Sequence, residues 1–385
     1  MKKKIFTVEP FNTSINSFSR QLLLSMLFLT FFITAQAQQK YTISGNISGI
    51  TQPVTVHLEY RVNRENIDDS VTTKDGKFDF SGTIARPTKV VMIILPVDMS
   101  KGYHADVRKF YLSSGATTIS GDSLNAAVIH GGATQDEYMQ LTSKSGALQD
   151  SIALYTWKRM AVAKDKKPAF QAKWNLYTLK MEEVVMDFMI ANNNSYVSLD
   201  LVGEESYVIT DPDKFEALYN ILSPDLKNTA EGKKYAELLS ITRKLAIGQP
   251  ALYFTENDPD GKPVSLASLK GKYILVDFWA SWCGPCRAEY PFLKKAYQLF
   301  KDKNFVIVSV SLDDKKPNWI KAIKDNEFPW LQVCDLKGFN NEVATAYGIT
   351  AIPQSFLIDP NGIIIAKNLR NNNLIEELNK VIKLQ

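Results

Sequence analysis

Two cysteines separated by Gly-Pro, Cys283 and Cys286, are the residues of this 385-residue chain best placed to do chemistry. They close the segment Tyr273-Ile-Leu-Val-Asp-Phe-Trp-Ala-Ser-Trp-Cys-Gly-Pro-Cys286, in which an apolar strand runs into a loop that opens a helix. Two thiols so spaced can close a small disulfide ring and reopen it. Cys283 is expected at the helix N-terminus, where free N–H groups and the positive dipole end favour a thiolate. Lowering its pKa from about 8.5 to about 7 raises the reactive fraction at neutral pH from a few per cent to roughly half. Pro285 falls early enough in the helix for its missing N–H to cost little. The pair reads as a redox-active dithiol. Structural zinc is one alternative, but it wants about four ligands. The chain has three cysteines, and His57, His104 and His130 all lie over a hundred residues upstream. An inert structural disulfide is the other, and so short a loop is a poor staple. No metal and no organic cofactor is expected.

Around the dithiol, residues 248–385 alternate between strand and helix patterns, enough for one α/β domain with a central mixed sheet flanked by helices. Strands are expected near 273–279, 305–311, 330–334, 354–358 and 363–366. Helices are expected near 284–301, 317–325, 340–347 and 372–383. Asp258-Pro-Asp-Gly261 and Asp359-Pro-Asn-Gly362 read as turns with solvated carboxylates, the second joining the last two strands as a hairpin. Cys334 follows the expected strand Trp330-Leu-Gln-Val333 and reads as a small buried hydrophobe, with a mixed-disulfide trap as the minor alternative.

Upstream, residues 38–134 predict a small β-sandwich. Val54, Val56, Leu58 and Tyr60 alternate on one face, with His57 on the other; Lys74-Asp-Gly-Lys77 is a hairpin turn signal; Val90 to Leu95 reads as a buried strand. No catalytic constellation is visible there, and the three histidines read as surface or satisfied polar residues. Residues 135–247 predict helices, opening near Asp136. One long amphipathic segment carries Leu176, Leu179, Met181, Val184, Val185, Phe188 and Met189, and two more helices run over 213–222 and 231–247. These read as a spacer, or as a partner-binding element.

Residues 1–37 look like an export signal: Lys2 to Lys4 and Arg20, an apolar run from Leu22 to Ile33 too short to span a membrane comfortably, and the small-x-small Ala35-Gln-Ala37. An uncleaved membrane anchor is the alternative reading. The 45% hydrophobic and 22% charged content is that of a globular protein, and a net charge of +4 gives no reason to expect nucleic acid.

The C-terminal domain resembles the thioredoxin superfamily in two separated strings, Val276-Asp-Phe-Trp-Ala-Ser-Trp-Cys-Gly-Pro-Cys286 and Tyr347-Gly-Ile-Thr-Ala-Ile-Pro353. Within it, the domain is most similar to the exported TlpA/ResA-type thiol-disulfide oxidoreductases. Gly248-Gln-Pro250 leading into Val264 to Lys272, and Arg287-Ala-Glu-Tyr-Pro291 after the second cysteine, carry that likeness. The N-terminal β region resembles, more loosely, an uncharacterised domain found ahead of bacterial redoxins.

The resemblance implies roles. Cys283 would attack a partner disulfide as the exposed thiol, and Cys286 would resolve the mixed disulfide. Asp277 matches the buried acid that accepts a proton, and Glu289 an acid of the exported branch. Pro353 would be cis and face the dithiol, leaving the Ile352 backbone free to pair with an extended substrate between the apolar rims of Trp282 and Ile352. Ser309 stands where cytoplasmic thioredoxins often carry a lysine, so Asp277 is tuned differently here. The function implied is periplasmic reduction of disulfides in exported proteins, reduced apocytochrome c being one substrate class, with electrons from a membrane thiol donor. A DsbA-like oxidant and an envelope binding protein with an auxiliary redoxin domain are the alternatives. A peroxiredoxin wants Thr where Ala280 stands. Oligomeric state is not legible.

Overall fold

The computed structural model describes residues 38–62, 65–95, 106–162, 166–205 and 212–382; the expected export signal and His104 lie outside them. Two compact units divide the chain between Gln135 and Asp136.

In the first unit, polar and apolar residues alternate, and a period of two makes strands. These are β1 (Gln39–Ile47), β2 (Thr55–Val62), β3 (Glu65–Thr72), β4 (Lys77–Ile84), β5 (Thr88–Ile94), β6 (Asp106–Leu112), β7 (Gly115–Gly121) and β8 (Val128–His130). They form two four-stranded sheets, ordered β4-β1-β7-β8 and β3-β2-β5-β6. Ile43, Phe78, Phe80 and Ile119 of one meet Val56, Leu58, Met92 and Phe110 of the other in a single core, so the unit is a β-sandwich. His57 faces away from that core, its Nδ1 3.1 Å from Asp68 Oδ1. Lys74-Asp-Gly-Lys77 does turn tightly, with positive φ at Asp75 and Gly76. The hairpin closes over a single residue pair, Lys74 and Lys77 exchanging N–H···O bonds at 2.9 and 3.0 Å, and its arms then part. β3 pairs with β2, whereas β4 pairs with β1 along the run from Gln39 to Asn46, so the turn carries the chain from one sheet to the other.

Helices follow: α1 (Ala133–Ala161), α2 (Lys167–Ala191), α3 (Tyr196–Glu205), α4 (Pro212–Ile221), α5 (Pro224–Lys227) and α6 (Ala230–Lys244). Ser223 and Thr229 cap the last two, each side chain accepting a backbone N–H of the first turn. α1 and α2 meet along an aromatic seam, where Tyr155 stacks on Tyr177 at 5.5 Å and Trp174 Nε1 donates to Thr156 Oγ1 at 3.0 Å. Phe188 and Met189 are buried as their spacing expects, but Leu176 and Leu179 are 44% and 58% exposed. Each lies two residues, about 200° around the helix, from a seam aromatic, and therefore on the outer side.

The remaining elements are β9 (Thr255–Asn257), β10 (Pro263–Ser265), β11 (Tyr273–Trp279), α7 (Gly284–Phe300), β12 (Phe305–Ser311), α8 (Lys316–Asp325), β13 (Leu331–Val333), α9 (Glu342–Ala346), β14 (Gln354–Ile358), β15 (Ile364–Lys367) and α10 (Asn372–Val381). The five-stranded sheet runs β13-β12-β11-β14-β15. β11, β12 and β13 are parallel, and β14 and β15 run against them. This is the mixed sheet flanked by helices that the sequence predicts, a thioredoxin-like fold. β11 is buried on both faces. Leu275 packs with Leu293 and Phe300 of α7 and with Leu378 of α10, while Val276 and Phe278 enter a second cluster with Leu245, Tyr347 and Phe356. Asp359 Oδ1 accepts the N–H groups of Asn361 and Ile363, closing the β14–β15 hairpin. The Asp258–Gly261 turn forms as expected and joins β9 to β10, two short strands that the sequence reading does not contain. Among the described residues no helix is long and apolar enough to cross a membrane.

Candidate active site

The site is assembled at the C-terminal end of β11. Leu312 N–H bonds the Trp279 carbonyl at 2.8 Å, extending the β11–β12 register to the strand's last residue. Asp313, 1% exposed, then fixes the loop that follows. Its carboxylate accepts the N–H of Ser281 at 2.9 Å, the Ser281 hydroxyl at 2.5 Å and the Ser311 hydroxyl at 2.7 Å. The backbone is thereby held two residues before Cys283.

Cys283 is the N-cap of α7, and its Sγ accepts the Cys286 N–H at 3.1 Å. The two cysteines are joined in a disulfide, their Cα atoms 5.3 Å apart. The expected exposure of Cys283 does not hold: it is 4% exposed, hardly more than Cys286 at 2%. Its sulfur is turned inward, 3.8 Å from the Ile352 carbonyl oxygen. The surface above belongs to Trp282, whose ring is 53% exposed and lies 6.0 Å from that of Phe339. The Ile352–Pro353 bond is cis. Trp282, Ile352 and Pro353 are thus gathered around the disulfide.

Asp277 lies on the strand that leads into the cysteine loop. It is 5% exposed on β11, and the Ser309 hydroxyl donates to its Oδ2 at 3.3 Å. Trp330 Nε1 donates in turn to Ser309 at 2.9 Å, so the serine is spoken for on both sides. Burial raises the Asp277 carboxyl to about 6; the Arg370 guanidinium and the Ser309 hydrogen bond oppose that rise, and Glu289 adds to it. Asp277 belongs to a row of buried polar residues across four strands, Ser355, Asp277, Ser309 and Gln332, in direct register. The Ser355 hydroxyl, the Gln332 amide and the nearby Tyr290 hydroxyl are buried without a hydrogen-bond partner.

Glu289, one turn beyond Cys286, accepts the Asn371 N–H at 2.8 Å. It is therefore tied to the α10 entry and not free in solvent. Cys334, the free thiol, is 6% exposed and pushed up to about 11 by burial. Among the described residues no group of histidines, cysteines and carboxylates could hold a metal.

The sequence reading missed Asp313, Phe339 and Arg370. Asp313 had a usable signal, since it stands two residues past the end of an apolar parallel strand, where this sheet architecture puts its functional loops. Phe339 and Arg370 had none, because tertiary folding alone brings them near the dithiol.

A thioredoxin-like sheet presenting a two-cysteine disulfide at a helix N-terminus, against a cis-proline turn, is the working end of a thiol-disulfide oxidoreductase. Sequence comparison with curated relatives agrees. Residues 247–367 match the AhpC/TSA family, and residues 41–138 match a domain of unknown function, DUF4369. A thiol-disulfide oxidoreductase ResA from Bacillus cereus is 32% identical over 152 residues, covering 39% of this chain and 84% of the relative. Its namesake in Bacillus subtilis is 31% identical over 134 residues, covering 34% and 72%. Among solved structures, the thioredoxin domain of a thiol-disulfide oxidoreductase from Bacteroides vulgatus is 42% identical with a TM-score of 0.35, covering 36% of this chain and 99% of that one. The chain belongs to the ResA family of thiol-disulfide oxidoreductases, through its C-terminal third.

Proposed function

We propose that this enzyme acts in the periplasm or cell envelope, as a reductant of disulfides in exported proteins, with apocytochrome c as one substrate class. The observation that carries the reading is the placing of Cys283 Sγ between the Cys286 N–H and the Ile352 carbonyl, with Asp277 buried on the strand that leads into the cysteine loop. In the reduced enzyme, the helix N-terminus and the Cys286 N–H stabilise a Cys283 thiolate. That thiolate attacks one sulfur of a substrate disulfide; the substrate S–S bond breaks, and the other substrate sulfur leaves as thiolate. Cys286 then gives its proton to Asp277 and attacks Cys283 Sγ, forming the Cys283–Cys286 disulfide and releasing the second substrate thiolate. Two electrons pass to the substrate, and an external thiol donor, a membrane thiol transporter, must return them. A base near 6 suits this transfer, being ionised at neutral pH yet close enough to accept. The cis turn leaves the Ile352 backbone available to pair with an extended substrate, beside the apolar surface of Trp282.

Insulin reduction by the pre-reduced chain tests the reading. Cys283→Ser is expected to abolish it without loss of folding, and Cys286→Ser to accumulate mixed disulfides whose partners identify the substrates. Insulin left intact by the wild-type protein would overturn it. The reduction potential separates a reductant from a DsbA-like oxidant, since roughly 30 mV corresponds to about 1.4 kcal/mol in a two-electron couple.

A further inference from the structure

The segment Asn368-Leu-Arg-Asn371 joins β15 to α10 and carries none of the chemistry just described, yet it touches the site at three points. Asn368 N–H bonds the Ser355 carbonyl at 2.7 Å, and Asn368 Oδ1 accepts the Ser355 N–H at 3.1 Å. Ser355 is two residues after Pro353 and stands beside Asp277 across β11 and β14. Arg370 Nη2 donates to the Pro353 carbonyl. Asn371 N–H reaches the Glu289 carboxylate on α7. Asn368 and Asn371 both have positive φ, 51° and 53°, a region that asparagine enters more readily than other side chains. Arg370 lies between these two residues and is half-buried.

We infer that Arg370 is a positioning residue of the redox site: its guanidinium holds the Pro353 turn by the carbonyl and supplies the positive charge that balances Asp277 and Glu289. The charge inventory supports this. Facing Asp277 are Glu289 and Tyr290 from α7, Ser309 from β12, Ser355 from β14 and Arg370 from this turn. Among the described residues Arg370 is the cation that acts on it. Both carboxylates in turn favour the charged guanidinium against its own burial. An arginine suits the task, because one guanidinium fork can donate to a carbonyl while its charge remains shared with carboxylates.

The inference deepens the proposed proton transfer and rests on that reading. In the resolving step the Cys286 proton passes to ionised Asp277, so whatever holds Asp277 ionised sets how acidic the medium can become before the step slows. The test uses the full-length chain carrying ¹³C-carboxyl aspartate, with the Asp277 signal assigned by its loss in Asp277→Asn. In Arg370→Gln the Asp277 titration midpoint is expected to rise by about one pH unit, and in Arg370→Lys to stay near that of the wild type. The acid limb of insulin reduction by the pre-reduced protein should move upward with it in Arg370→Gln and be restored in Arg370→Lys. An unmoved midpoint in Arg370→Gln overturns the inference; so does activity lost equally at every pH in both variants, the signature of a purely structural arginine. If the wild type reduces no disulfide, the proposed function fails instead, while the carboxyl titration still reports on Arg370.

Discussion

At the residue scale, Asp277 links the chemistry to the stability of the fold. Its carboxyl sits at about 6, against an ordinary value of 3.8, because burial disfavours its charged form. The folded chain therefore holds this proton more tightly than the unfolded chain does. Stability falls as pH rises from about 4 to about 6, and above that range the whole penalty is present. A shift of some two units corresponds to about 2–3 kcal/mol. Asp277→Asn is accordingly expected to stabilise the protein by up to that amount at pH 7, with the gain vanishing near pH 4, while slowing the resolving step. Urea unfolding at the two pH values checks this; a variant no more stable at pH 7 than at pH 4, relative to wild type, would show that the burial penalty is absent. Glu256 on β9 offers a parallel case. Burial raises it to about 7, and one carboxylate oxygen takes the Asn341 amide at 2.6 Å while the other is buried without a partner. Glu256→Gln keeps that acceptor and loses the charge, so it should flatten the decline in stability between about pH 4.5 and 7, which thermal unfolding across that range would reveal.

At the scale of elements, the Cys283 loop depends on β12 as much as on its own strand. Asp313→Ala removes the acceptor of three hydrogen bonds and leaves buried donors unpaired, at a cost of about 2–4 kcal/mol. Reductase activity should fall with it, because Ser281 no longer fixes the approach to α7; Asp313→Asn should recover part of both, as urea midpoints and insulin assays would tell. The elements themselves were largely legible. Strands expected at 273–279, 305–311 and 354–358 coincide with β11, β12 and β14, because strands buried on both faces write themselves as nearly continuous apolar runs bounded by turn residues. Beyond the β14–β15 hairpin, the pairing partners of the strands were not legible, and the Lys74–Lys77 turn shows why. Turn chemistry is local and was read correctly, but whether a turn folds back or crosses to another sheet depends on which distant strand captures its arm. The exposed Leu176 and Leu179 make the same point for helices: periodicity names an apolar stripe, and packing decides which side is covered. Arg370 and Phe339 lay beyond any local pattern, since 17 residues separate Arg370 from the carbonyl it holds and 57 separate Phe339 from Trp282.

At the scale of the molecule, redox chemistry is confined to one of two compact units. The β-sandwich contains no cysteine, and its His57 is engaged with Asp68 at the surface. A fragment from Ala133 to Gln385 is expected to fold and to reduce insulin at a rate close to that of the full chain, whereas the sandwich alone should not reduce it. If the fragment folds but is inactive, the N-terminal unit contributes to turnover itself, and a role limited to choosing or placing substrates is excluded.

The odd cysteine has a consequence for the enzyme's own upkeep. Three sulfurs permit three pairings, and a protein that spends its life exchanging disulfides risks scrambling itself. With its thiol held near 11, Cys334 carries an attacking charge in only about one molecule in ten thousand at neutral pH. The third sulfur is chemically silent, and the catalyst is left with one ring it can close.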